Sequence, residues 1–435
     1  MDTTNTQAPG PRIYNLFPLL AGPLPEWTSH LERAQRLGFN WVFLNAFHYA
    51  GYSGSLYSIK DYYDIDPRLL DPAAGSPMVQ LEQMIQTAKR LGLKLMMDLV
   101  INHTAFDSPL VKEHPEWYKR GADGKPLHPG AKDGDRKVVW GDLYEIDNAE
   151  SADRHNLWNY WLKLVEHYAS CGFDGFRCDA AYKVPVDLWR FLFDRVSRSY
   201  PGTVFVAELL GCPFSDILRL AGTGFDFIFN SSKWWDFTEP WCLDQYRQTA
   251  PLVPSISFPE SHDTDRLATE LRGDPAAVKL RYAFSALFST GVLMPVGFEY
   301  GFRRHLDVVR TRPQDWEEPQ WDLGDFIIAV NRLKASRQVF NEEGPIDLVD
   351  AGNPSVFAFV KSSRDRQEKA LIILNKDRRH AQVCQLARMG HVFSGMSQVE
   401  DVSPEGRLQH SPDFRTAQLE PSAIQVLYAK TLSRQ

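Results

Sequence analysis

Short apolar runs rich in β-branched and aromatic residues recur along the chain, opening at Ile13, Trp41, Lys94, Gly175, Val204, Phe225, Ser255 and Val292. Between them lie segments such as PEWTSHLERAQRLG, MVQLEQMIQTAKRLG and VDLWRFLFDRVSRSY, whose apolar residues return at i, i+3, i+4 and i+7. That period belongs to a helix with one buried face, and the Gly that ends several of these segments reads as a helix stop. Strand and helix in alternation predict a parallel sheet. Eight repeats of the unit favour a closed (β/α)8 barrel over an open doubly wound sheet, which would need a reason to stop at an edge.

Two stretches break the pattern. The connection from Asn102 to Asp147, rich in Gly, Pro, Lys and Asp, is too long for an ordinary loop. A gap of this kind is usually functional, so a small substrate-facing insertion is expected over residues 103–147, after the third strand, packed through Trp117, Tyr118 and Trp140. After Glu343 the runs SVFAFVKS, KALIILNK, HAQVCQL and AIQVLYAK alternate at the strand period without helices between them. They predict a small antiparallel β-sandwich. Residues 1–343 therefore read as a barrel with its insertion, and 344–435 as a C-terminal β-sandwich that shields it.

At 435 residues the chain is long enough for both parts. Its 43% hydrophobic and 24% charged content is ordinary for a globular protein, and a net charge of −7 argues against a nucleic-acid surface and for a neutral partner. Twelve Trp residues supply core and, in part, rings able to stack on sugars. Five cysteines, at 171, 178, 212, 242 and 384, form no CxxC or zinc-ligand spacing, so reduced thiols are expected and no metal cluster. The polar N-terminus lacks a signal-peptide pattern and no apolar run is long enough for a bilayer. A cytoplasmic protein without membrane contact is expected; oligomeric state is not legible.

In a parallel barrel the C-terminal strand ends share one face, where barrel enzymes keep their chemistry. The third strand ends in Asp98, Asn102 and His103, the fourth carries Arg177 and Asp179, the fifth Glu208, and the seventh ends in Glu260, His262 and Asp263. Arg177 and Asp179, two apart, emerge on the same strand face, and the guanidinium favours an ionised Asp179 able to attack an anomeric carbon. Glu208 stands in the apolar run VFVAELL, where desolvation favours a retained proton. One carboxylate held charged and one held protonated is what glycoside cleavage through a covalent intermediate requires. Asp263 is placed to stabilise the oxocarbenium-like transition state, with His262 and His103 as donors. Any one of these acids alone would read as a helix cap or ion-pair partner; their joint placement carries the argument. Asp174 reads as structural, Asp98 as orienting Arg177, and Cys178, on the opposite face, as packing.

The segments DLVINH from Asp98, GFDGFRCDA from Gly172, VFVAEL from Val204 and FPESHD from Phe258 resemble, in order, the four signature regions of the α-amylase family, glycoside hydrolase family 13. The resemblance extends over about residues 13 to 340 and includes GYSGSLYSIKDYYDIDP, similar to the stretch that supplies a sugar-stacking tyrosine, here Tyr57. It implies a retaining mechanism on α-1,4-linked glucans or short malto-oligosaccharides, with Asp179 as nucleophile, Glu208 as acid/base and Asp263 as stabiliser. Tyr57, His103, Arg177 and His262 then line the sugar site. No cofactor is implied; in calcium-dependent members the Asn at the position of Asn102 is a ligand. DSPLVKEHPEWYKRGADGKP and FRRHLDVVRTRPQDWEEPQWD resemble the branch that exchanges maltosyl groups between maltose 1-phosphate and α-1,4-glucan, whereas the loop from Ala180 to Lys183 departs from it. A catalytically inactive glycan-binding scaffold and a metal-dependent hydrolase are the other classes weighed. The first typically loses one of the three carboxylates, and the second would need rim histidines already assigned here.

Overall fold

The protein is described by a computed structural model covering residues 10–133, 136–406, 409–410 and 415–431. The reading of a leaderless N-terminus falls on residues 1–9, outside the described residues. The apolar runs form β1 (Arg12–Leu16), β2 (Trp41–Leu44), β3 (Lys94–Leu99), β4 (Gly175–Cys178), β5 (Val204–Ala207), β6 (Phe227–Phe229), β7 (Ser255–Ser257) and β8 (Gly291–Pro295). Each pairs in parallel with the next, and β8 pairs with β1 to close the barrel.

A helix follows each strand: α1 (Thr28–Arg36), α2 (Pro77–Arg90), α3 (Arg154–Cys171), α4 (Val186–Ser199), α5 (Phe214–Ala221), α6 (Trp241–Thr249), α7 (Pro275–Phe288) and α8 (Gly324–Ser336). No helix among the described residues is long and apolar enough to cross a membrane.

Alternation along the strands sorts side chains between two cores. Ile13, Trp41, Phe43, Met96, Val206, Ile256 and Leu293 fill the barrel interior, while Tyr14, Val42, Leu95, Phe176 and Cys178 face the helices. Gly175 sits where β4 would otherwise crowd the interior: a Cβ there would lie 2.8 Å from the Val204 carbonyl oxygen and 3.2 Å from the Trp41 ring. The missing side chain leaves room for that ring.

The insertion after β3 is tied down by the antiparallel pairing of His103–Ala105 with Leu143–Glu145 and carries a hairpin, Gly130–Asp133 with Arg136–Val139. Trp117 and Tyr118 are buried in it, but Trp140 is 37% exposed. Trp140 therefore does not pack the insertion as expected; its ring lines the cleft, with the Lys183 ammonium 4.8 Å from its centre.

Beyond α8 the chain forms a five-stranded antiparallel sheet from β9 (Ile346–Leu348), β10 (Val356–Ser362), β11 (Glu368–Asn375), β13 (Glu400–Asp401) and β16 (Ile424–Lys430). Against it lies a three-stranded sheet of β12 (Gln382–Cys384), β14 (Gln409–His410) and β15 (Ala417–Leu419). A helical turn at Leu386–Met389 corrects the expectation of strands alone. Val356, Ala358, Val360, Leu371 and Ile373 face the small sheet, whereas Phe359, Ala370, Ile372 and Leu374 belong to the core shared with the barrel. All five cysteines are unpaired thiols.

Candidate active site

Register brings the acids together. Arg177 in β4 lies opposite Asp98 in β3 and Val206 in β5, so Asp98, Arg177 and, two residues on from Val206, Glu208 emerge side by side on the inner face at the barrel mouth. Arg177 Nη1 donates to Asp98 Oδ1 at 2.6 Å and to Asp179 Oδ1 at 2.7 Å. Its Nη2 stands 3.9 Å from Glu208 Oε2 and 3.7 Å from Asp263 Oδ2. One buried guanidinium thus spans four carboxylates, an arrangement that only its own positive charge makes tolerable.

The turn after β4 shapes the site further. Ala180 adopts the left-handed conformation (φ 40°, ψ 50°), which costs a non-glycine residue free energy and persists where surrounding contacts hold it. Here the conformation directs the Ala180 N–H at Glu208 Oε2, 2.8 Å away. The other Glu208 oxygen accepts the N–H of Leu210. These donors favour the charged form of Glu208, as does Arg177, yet burial outweighs them and, with Asp179 and Asp263 nearby, pushes its pKa up to about 7. Asp98 is likewise pushed up to about 7 by burial, against the pull of Arg177.

A ring of neutral donors completes the floor. The Tyr57 hydroxyl donates to Asp98 Oδ2 at 2.6 Å, accepts from Asn45 Nδ2 at 2.9 Å, and lies 2.8 Å from His262 Nε2. Asn15 in turn donates to Asn45 Oδ1 at 2.8 Å. His262 Nε2 is also 3.2 Å from Asp263 Oδ2, and its ring is parallel to that of Tyr57. Burial lowers the pKa of His262 to about 4, so the imidazole is neutral at neutral pH. His103 Nε2 meets the Tyr57 carbonyl at 3.0 Å, and burial lowers its pKa too. Asn102 spends its amide on Asp179, donating to the carbonyl oxygen at 3.1 Å and to Oδ2 at 3.3 Å.

All seven residues named from the sequence, Tyr57, His103, Arg177, Asp179, Glu208, His262 and Asp263, therefore meet at one cleft. Glu260 does not join them: it is buried against Arg266, 2.8 Å away, behind the rim. Asp174 accepts the Leu95 N–H at 2.9 Å, a structural bond. Sequence reasoning missed Asn15 and Asn45, whose polar side chains at the ends of two apolar strands were the available signal, and Lys183 and Trp234, which carried none. Among the described residues the acid and histidine side chains close enough to share an ion are His114 and Glu116 in the insertion with Asp153 at the start of α3, away from Asn102.

The cleft has two arms. One, of about 350 Å³, runs past Tyr57, His103, Asp179 and Lys183 to Trp140. The other opens from Glu208 and Asp263 past Leu210 to Trp234. Acid pairs, a fixed cation and neutral donors at the mouth of a barrel can perform displacement at an acetal carbon.

The chain is similar to known carbohydrate-active proteins. The family described as the glucanotransferase domain of glycogen debranching enzyme matches residues 12–120. An α-1,4-glucan:maltose-1-phosphate maltosyltransferase from Burkholderia pseudomallei is 24% identical over 431 residues, covering 95% of this chain and 37% of that protein. The intracellular maltogenic amylase of Bacillus subtilis is 26% identical over 385 residues, 81% of this chain and 61% of its own. The chain thus spans less than two thirds of the length of these relatives. An α-amylase structure from Lactobacillus plantarum superposes with a TM-score of 0.77 at 21% identity, covering 97% of this chain and 99% of that one. With the ordered segments at Asp98, Gly172, Val204 and Phe258 folded onto one barrel mouth, the chain has the barrel fold of this α-amylase structure and is similar in sequence to maltosyltransferases and maltogenic amylases.

Proposed function

We propose that this protein is a retaining glycosidase or transglycosylase acting on α-1,4-linked glucans or short malto-oligosaccharides. The observation that carries the reading is the single Arg177 guanidinium shared by Asp98, Asp179, Glu208 and Asp263. Asp179, hydrogen-bonded to that cation and to Asn102, is the nucleophile: its carboxylate oxygen bonds to the anomeric carbon as the bond to the leaving oxygen breaks. Glu208, holding its proton through burial, gives it to that oxygen and then takes a proton from the acceptor hydroxyl that releases the sugar from Asp179. Asp263 and neutral His262 stabilise positive charge and sugar hydroxyls in the transition state. The chemistry is carried by side chains, and the unpaired thiols accord with a reducing, cytoplasmic setting.

Similarity to several maltosyltransferases supports a second reading, maltosyl transfer from maltose 1-phosphate to a glucan. Product analysis with maltose, maltoheptaose, starch and maltose 1-phosphate, with and without inorganic phosphate, tests both. Free sugars or lengthened oligomers from the glucans are expected; phosphate release with chain growth selects the second reading. Asp179→Asn should abolish turnover while leaving binding of maltoheptaose largely intact, and a near-normal rate in that variant would sink the assignment.

A further inference from the structure

Trp234 is half exposed on the cleft wall, the kind of large apolar surface that marks a binding site when it lies in a concave setting. Its placement is rigid. The turn Ser232–Trp234 follows β6, and Ser232 is buried, its Oγ bonded to Ser257 at 2.9 Å. The neighbouring Lys233 is buried and held by both oxygens of Glu270 at 2.9 and 3.0 Å. The indole stands edge-on to Phe258, with ring centres 6.0 Å apart, and its N–H has no partner among the described residues. An aromatic ring fixed from behind and open in front contacts a ligand with little loss of side-chain entropy.

Its position assigns it to one side of the reaction. Leu209, Leu210, Ser231, Trp234 and Asp263 line both the pocket that reaches Glu208 and the recess of about 570 Å³ beyond it. Asp179, Tyr57 and His103 line only the other arm, and Glu208, Leu210 and Asp263 stand at the junction of the two. An acid that protonates the leaving oxygen faces the leaving group, so the arm running from Glu208 away from Asp179 holds that group and, later, the acceptor. This step rests on the function proposed above. The charges there are also informative: Asp263, Asp265 and Glu270 bound the recess, and its lysine, Lys233, is committed to Glu270. An anionic group entering this arm meets like charge.

We propose that Trp234 is the stacking platform for the neutral sugar that leaves or accepts, making this arm selective for a glucosyl unit over phosphate. The test is steady-state kinetics of the full chain on maltotriose, on α-maltosyl fluoride, whose leaving group contains no sugar, and on maltose 1-phosphate. Trp234→Ala is expected to lower kcat/KM for maltotriose about three- to tenfold more than for maltosyl fluoride, chiefly through KM, the size of one aromatic contact. Trp234→Phe should recover most of that difference, and the unaltered protein should prefer maltotriose to maltose 1-phosphate. Equal losses on maltotriose and the fluoride, no recovery with Phe, or maltose 1-phosphate as the preferred donor would each overturn the proposal. An unaltered protein inert on all three donors would instead overturn the glycosidase reading itself.

Discussion

At the scale of single residues, the site works by setting neighbouring acids to different tasks. Glu208 receives two backbone N–H groups and the field of Arg177, yet burial prevails and its pKa stands near 7. A carboxyl whose pKa is raised is protonated below that value and ionised above it. If Glu208 must donate a proton, kcat/KM on a malto-oligosaccharide should therefore fall as pH rises through about 7; a profile flat to the pKa of lysine would contradict the assignment. Asp98 rises to a similar value for the same reason, so the alkaline limb belongs to the cluster rather than to one group. The linkage to stability has the same sign. Both carboxyls hold protons more tightly in the folded chain than in the unfolded one, so their contribution is full below the ordinary carboxylate range and is lost as pH rises through about 7. Arg177 was readable as a partner of Asp179 from the spacing of two on one strand. Asp98 was readable as the group that orients it, and the parallel register of β3 and β4 sets the two side by side, 2.6 Å apart. That the same guanidinium also reaches Glu208 and Asp263 was not readable, because strand spacing says nothing of distances between strands.

Elements position these residues through ends and faces. The strands β3, β4, β5 and β7 were legible as apolar runs, and with them the face on which Asp98, Arg177, Asp179 and Glu208 emerge. The turn at Ala180 was not legible, since alanine ordinarily avoids the left-handed region; only the packed surroundings impose it. Trp140 and Trp234 show the same limit. Trp140 reads in the sequence as packing for the insertion and Trp234 carries no signal, yet both stand at the cleft because the segments carrying them are anchored by neighbours, Lys183 in one case and Lys233 with Ser232 in the other. Helix ends offer a simpler test. Asp274 caps α7, its Oδ1 accepting the N–H groups of Ala276 and Ala277 at 3.1 and 3.2 Å, while Oδ2 takes Arg378 Nε at 3.1 Å. Asp274→Ala should destabilise the protein by about 1 kcal/mol in denaturant titration without changing KM.

For the molecule as a whole, the barrel and the C-terminal sheet share one core. The inner face of the five-stranded sheet presents Phe357 and Phe359 to α7, where Phe284 and Phe288 lie with ring centres 6.3 Å from Phe359. Trp235 meets Phe357 edge-on at 5.1 Å. Lys361, buried in the sheet, donates to the Phe288 carbonyl at 2.8 Å, and burial lowers its pKa to about 8. Phe359→Ala should cost about 3–5 kcal/mol, the loss expected for a buried aromatic ring, and the two parts should unfold in one cooperative transition. Separate calorimetric transitions for barrel and sheet would show that this shared core does not couple them.

The sequence by itself determined the period of each element, the barrel class and the identity of the acids at the strand ends, because hydrophobic spacing and strand alternation are local properties of a chain. The tertiary structure alone decided that one guanidinium serves four carboxylates, that Ala180 turns its N–H onto Glu208, that Glu260 is withdrawn behind the rim, and that Trp234 faces the leaving-group arm. Each depends on the register and packing of segments far apart in sequence, where desolvation and charge proximity are set by what surrounds a residue and not by its neighbours along the chain.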